Sequence, residues 1–206
     1  MLNQFADAPF SLILILLNLL IGIYSLAKDP SLVPRMAMTP IRIRENGEYY
    51  RFLTGGFVHA GGMHLAFNVF TLFFFGPPIE GRLGPYGFLL VYLVSGIAAN
   101  VVAYFVHRRN DRYSAVGSSG SIAGVLFGFC LFWPTAQIVV LVIPMPAWIF
   151  ALAFIGFSVY AMVKRPGGEL GRIAHEAHLG GALAGFILTM LLEPDALGLF
   201  FRNLGL

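Results

Sequence analysis

The sequence predicts an all-α, polytopic membrane protein, a bundle of six transmembrane helices forming a single domain over residues 1–206. Three observations carry that expectation. Hydrophobic residues make up 58% of the 206 positions and charged residues 11%, against roughly 25% charged in a soluble domain. The mean hydropathy is +0.79. The apolar residues also fall in runs suited to crossing a hydrocarbon core, which takes about 20 helical residues. A soluble fold of this length has too little interior to hide so much apolar surface. Cys130 is the single cysteine, which excludes an intramolecular disulfide and a thiolate metal cluster. The formal net charge is +3, but no basic stripe with interleaved aromatics accompanies it, so nucleic acid is not an expected partner.

Each element follows in order. The first span covers 10–27 (FSLILILLNLLIGIYSLA). The residues before it carry Asp7 and no Lys or Arg, so the positive region that opens a signal peptide is missing and a retained span is expected. A polar connection, 28–55, holds Lys28, Arg35, Arg42, Arg44 and Arg51. The second span covers 63–79, with Gly76, Pro77 and Pro78 marking its end. The third covers 86–106 and is followed by the polar cluster HRRNDR. The fourth, 119–133, is short and stops at Trp133-Pro134. The next apolar stretch, 138–163, is interrupted by Pro144 and Pro146. Proline favours the first turn of a helix, which places the fifth span at 146–163. The sixth covers 175–192.

Polar groups inside a membrane are expensive and mark candidate sites. Here they gather at the starts of alternate spans: His59, His64 and Asn68 at the second, Ser118, Ser119 and Ser121 at the fourth, His175 and His178 at the sixth. Those three spans run in the same direction, so their starts reach one membrane face. Gly117, Gly120, Gly124 and Gly128 fall on nearly one face of the fourth span, and Ala177, Gly181 and Gly185 repeat every four residues along the sixth. Small residues at this period let two membrane helices approach backbone to backbone. If the two stripes face each other, Ser119 and His178 meet at one end.

The chemistry on offer is nucleophilic. A serine hydroxyl needs a base within hydrogen-bond reach, which a neutral histidine supplies. The resulting oxyanion needs preformed donors. His64 and Asn68, four residues apart on one helical face, are candidates, as is the Ser119 N–H at a helix N-terminus. Glu176 lies two residues from His178 and points elsewhere on the helix, so a Ser–His dyad is expected rather than a triad. His107 and His175 read as interfacial and solvated, Cys130 as packing, and Phe73, Phe74 and Phe75 as lipid-facing. A zinc protease would want H-E-x-x-H, and His175-Glu176-Ala177-His178 is one residue short of that spacing. An aspartyl mechanism needs two carboxylates in the membrane, and every Asp and Glu falls in a terminus, loop or span end. No metal or other cofactor is expected.

Three motifs, HAGGMHLAFN (59–68), GSSG (117–120) and AHLGGALAG (177–185), together make the chain resemble the rhomboid intramembrane serine proteases, of the bacterial type with a six-span core. The resemblance covers about 49–186. It implies a nucleophile at Ser119 within Gly117-Ser118-Ser119-Gly120, a base at His178, and an oxyanion hole formed with His64 and Asn68. YYRF at 49–52 resembles the end of the family's long first loop, where Arg51 matches a structural arginine, and IEGRLG at 79–84 resembles its Glu-x-Arg turn. His59 reads equally as a loop anchor or as part of the site rim. The implied partners are the lipid bilayer and transmembrane protein substrates, cut within or beside a helix that unwinds easily. The alternative is an inactive rhomboid-like protein that binds membrane clients. Such relatives usually lack the serine or the histidine, and this chain keeps both. The oligomeric state is left open by the sequence.

Orientation sets two arguments against each other. Eleven of the 13 basic residues fall in the first, third and fifth loops, on the face of the expected site. Positive charge favours the cytoplasmic side. The resemblance implies the reverse, a multi-pass protein of the bacterial inner membrane with its site facing outward, and that orientation is the expectation adopted.

Overall fold

A computed structural model describes residues 5–140, 142–164 and 174–206, and the protein is 74% helical. Among the described residues, three helices are long and apolar enough to cross a membrane: α1 (Pro9–Ala27), the 46-residue α5 (Gly62–His107) and α8 (His175–Leu192), while α6 (Ser119–Phe132) and the apolar part of α7 (Ala147–Lys164) are shorter. Between α1 and α5 lie α2 (Leu32–Met36), α3 (Pro40–Asn46) and α4 (Arg51–Thr54), and α9 (Ala196–Leu204) follows α8. The expected boundaries at Ala27, Ser119 and His175 coincide with helix ends. Arg165 and Arg172, two of the basic residues counted in the fifth loop, lie outside the described residues.

Three features depart from the sequence expectation. The second span does not stop at Gly76-Pro77-Pro78; α5 continues to Gly84, whose φ of 73° breaks it into two legs. That left-handed backbone suits glycine, and Pro85 follows it as the start of the second leg. Pro77 and Pro78 remove only two backbone donors, and the fixed proline φ is itself helical. The last turns of the first leg are also tied to α1. The buried Glu80 carboxylate accepts from the N–H groups of Phe10 and Ser11 at 2.8 and 2.6 Å, the otherwise uncapped first turn of α1. The Glu-x-Arg segment is therefore helical rather than a turn, and Arg82 pairs with Glu193 at 3.3 Å.

The second departure is a β-hairpin. Residues β1 (Gln137–Val140) and β2 (Ile143–Pro146) pair antiparallel, so the fold is not wholly helical. The β-branched run favours strand, and Pro144 and Pro146 deny it helical bonds. The third is the first loop, which is folded rather than irregular. Arg51 is buried and donates from Nη1 to the carbonyls of Pro34 and Ala37 at 3.0 and 2.8 Å, and from Nε to Glu48 at 2.5 Å. Thr54 Oγ1 donates to Met36 O at 2.9 Å.

The centre of the molecule is α6. Of its 14 residues only Ser119 and Phe129 are not buried. It is held between the second leg of α5 and α8 by glycine contacts so close that added side chains would overlap. A Cβ on Gly181 would lie 2.1 Å from Gly120 O, and one on Gly185 would lie 2.2 Å from Gly124 Cα. On the other side, a Cβ on Gly120 would sit 2.3 Å from Ala99 Cβ. The two small-residue stripes do face each other. Cys130 is buried and donates to Ala147 O at 3.3 Å. Of the three consecutive phenylalanines only Phe74 is exposed; Phe75 packs on Phe129 with centroids 4.9 Å apart, and Phe73 on Phe5 at 5.3 Å.

Candidate active site

Ser119 is the first residue of α6, delivered by the turn at Gly117-Ser118. Gly117 has φ +106°, where a side chain is strained. A Cβ there would also lie 2.4 Å from His64 Cε1 and 3.4 Å from Asn68 Nδ2. This glycine therefore makes the turn and admits both α5 side chains to the backbone two residues before Ser119. Its N–H donates to Gly55 O at 2.9 Å. The first loop thus holds the turn, and Arg51 holds the first loop. A second tie is the pair of hydrogen bonds exchanged by Met38 and Ala115 at 3.0 and 2.9 Å.

His178 lies in the first turn of α8, with Nε2 2.7 Å from Ser119 Oγ. Its ring stacks on Phe154 of α7, centroids 6.0 Å apart and planes at 25°. Asn68 is buried, and its Nδ2 has no acceptor among the described residues. His64 meets His59 edge to face at 5.2 Å. His59 is fully buried behind His64, not on a solvent-facing rim. Burial, with His64 facing it, holds the His59 ring down at about 4, so it packs as a neutral group. Beside Ser119 is a recess of about 30 Å³, lined by Tyr92, Asn100, Gly117 and Ser121 among others, enough for about two water molecules.

The structure thus gathers Ser119, His178, His64, Asn68, Gly117 and Gly120, contributed by α5, α6 with the turn before it, and α8; Arg51 and His59 support them from behind. The interfacial reading of His107 is overturned. That ring is buried, stacks on Tyr113 at 3.7 Å and lies 2.8 Å from Glu176 Oε1. The partners are 69 residues apart in sequence, so no local pattern announces the pairing. Gly55 and Tyr113 are likewise invisible to motif reading, because one acts through a carbonyl and the other through a distant carboxylate.

A family model described as the rhomboid domain matches residues 46–194. The chain belongs to the rhomboid family. With helices of membrane-crossing length, this rhomboid is an integral membrane protein. It is similar to the rhomboid-protease relative YdcA of Bacillus subtilis (strain 168), 35% identical over 153 residues that cover 71% of this chain and 68% of that protein. It is also similar to the chloroplastic Rhomboid-like protein 11 of Arabidopsis thaliana, 35% identical over 159 residues, covering 70% and 53%. Rhomboid protease GluP of Bacillus subtilis is 28% identical over 158 residues, covering 77% of this chain and 29% of its own length. The match spans about two thirds of the first of these relatives, half of the second and under a third of GluP.

Proposed function

We propose that this rhomboid is an intramembrane serine endopeptidase that cuts transmembrane segments of other membrane proteins with a Ser119–His178 dyad. The observation that carries the reading is the 2.7 Å contact between Ser119 Oγ and His178 Nε2, made by two helices locked backbone to backbone. As His178 Nε2 takes the hydroxyl proton, Ser119 Oγ attacks the scissile carbonyl carbon and an oxyanion forms. In this reading the Ser119 N–H, Asn68 Nδ2 and the His64 ring donate to it; Asn68 Nδ2, unpartnered among the described residues, supports the assignment. His178 then gives its proton to the leaving amine, and water, activated by the same ring, releases the acyl group from Ser119. In this reading the chain is one six-span domain, the two legs of α5 counting separately. The test is labelling of the purified protein by a fluorophosphonate. Labelling lost in Ser119→Ala supports the enzyme; absence of labelling in the unaltered protein would favour the client-binding alternative.

Asn68→Ala gives up no hydrogen bond at Nδ2 to any described residue, so its effect should fall on rate rather than stability. A loss of about 10²- to 10³-fold in turnover at unchanged melting temperature is expected, and a similar loss for His64→Ala. Unchanged rates in both variants would return the pair to packing.

We further propose that the site faces outward from a bacterial inner membrane. Relatives carrying chloroplastic and mitochondrial names stand beside bacterial ones in the same family, so family membership alone does not select the compartment. With Cys130 replaced by Ser, a lone cysteine at Asn110 should react with a membrane-impermeant thiol reagent on intact bacterial cells. Protection until lysis would reverse the orientation and vindicate the charge rule.

A further inference from the structure

Glu176 plays no part in the chemistry described above, yet it is the nearest carboxylate in sequence to His178 and it is buried. One of its oxygens, Oε1, lies 2.8 Å from both His107 Nε2 and the Tyr113 hydroxyl. His107 ends α5, and Tyr113 sits midway along the loop that leads to Ser119. The two rings stack nearly parallel, at 9°, so they present their donors to the same oxygen as a unit. Burial, with Glu176 beside it, pushes the Tyr113 phenol up, so its hydroxyl stays protonated and serves as a donor.

The placement along α8 gives this contact its leverage. Residues two apart on a helix point roughly 200° away from each other. Glu176 and His178 therefore occupy nearly opposite faces of the same first turn. Anchoring Glu176 fixes the rotation of that turn about its axis, and with it the direction in which His178 points. The same carboxylate holds the loop six residues before Ser119. A single buried group thus connects the backbone carrying the base to the backbone carrying the nucleophile, on the side away from the reacting atoms. A carboxylate is costly to bury unless fully hydrogen-bonded, and packing alone would be served as well by an apolar side chain.

We propose that Glu176, clamped by His107 and Tyr113, is a positioning residue that sets the aim of His178 at Ser119. The inference rests on the dyad reading, and a displacement of even about 1 Å at such a site can cost on the order of 10²-fold in rate.

The test measures kcat and KM for a transmembrane substrate, with kcat expressed per site titrated by fluorophosphonate. Glu176→Gln keeps the shape and removes the charge; Tyr113→Phe keeps the ring stacked on His107 and removes only the hydroxyl. We expect kcat to fall by about 10- to 100-fold in Glu176→Gln and by a smaller factor in Tyr113→Phe, with KM within about threefold of the unaltered protein. The double variant should be no worse than Glu176→Gln alone, because both act through one oxygen. A structural role only would lower the titratable fraction or the melting temperature and leave kcat per titrated site unchanged, which would overturn the proposal. If Glu176→Gln does not fold, Tyr113→Phe decides: unchanged kcat per site in that variant overturns it. The unaltered protein in the same assay reports separately on the dyad. Failure to label and to cleave there would sink the dyad reading and this inference with it, whereas normal activity beside unaltered variants would sink this inference alone.

Discussion

Ser119→Ala and His178→Ala are each expected to lower turnover of a transmembrane substrate by about 10⁴-fold or more, with the double variant no worse than either single. In the proposed mechanism Ser119 and His178 act as one unit through a single hydrogen bond, so removing either member leaves the other without a task. Both substitutions should leave the fold intact. Ser119 stands at the mouth of α6, where the smaller alanine fits, and α6 and α8 are joined by glycine contacts that neither change touches. The check is kcat alongside a melting curve for each variant. Full activity in either single variant would remove the dyad from the mechanism.

The second large effect is structural. In Gly185→Leu the first added atom would fall 2.2 Å from Gly124 Cα, and in Gly181→Leu 2.1 Å from Gly120 O. Backbone cannot swing aside as a flexible side chain does, so the helices must part. Destabilisation of about 3 kcal/mol or more is expected in each case, read as a lowered melting midpoint together with lost fluorophosphonate labelling. Opening the α6–α8 seam would also separate Ser119 from His178. A variant that melts and labels like the unaltered protein would show that the seam is looser than these distances require.

Much of this architecture is legible in the chain. Apolar runs locate the membrane helices because lipid and core both demand them, and serine, histidine and asparagine at the starts of such runs are conspicuous for the cost of placing them there. The helix starts at Ser119 and His175 follow from that contrast. Other features turn on contacts that no local pattern encodes. Pro77-Pro78 reads as a stop, yet the helix runs on to Gly84 beside Glu80, a residue 69 positions from one of the α1 donors it caps. The stretch 137–146 reads as the approach to a helix, but its β-branched run forms a strand that pairs with 143–146 across a hairpin. The loop 28–55 reads as polar connection because the carbonyls that bury Arg51 have no signature in sequence. For the same reason His107 looks like a solvated end residue until Glu176 is brought beside it.

The enclosure of α6 bears on how the molecule is assembled. At roughly 1.5 Å per residue its 14 residues extend about 21 Å, short of a hydrocarbon core of about 30 Å. A segment so brief and so rich in glycine is a poor candidate to enter the bilayer unaided. It needs the second leg of α5 on one side and α8 on the other, and α8 is translated more than 40 residues after α6 ends. The central helix is therefore among the last to be seated, although it is made midway. Until α8 arrives with His178, Ser119 lacks the partner proposed as its base. On the proposed mechanism, a nascent chain still passing through the insertion machinery would carry no assembled dyad, and the unfolded spans of other newly made proteins around it would go uncut.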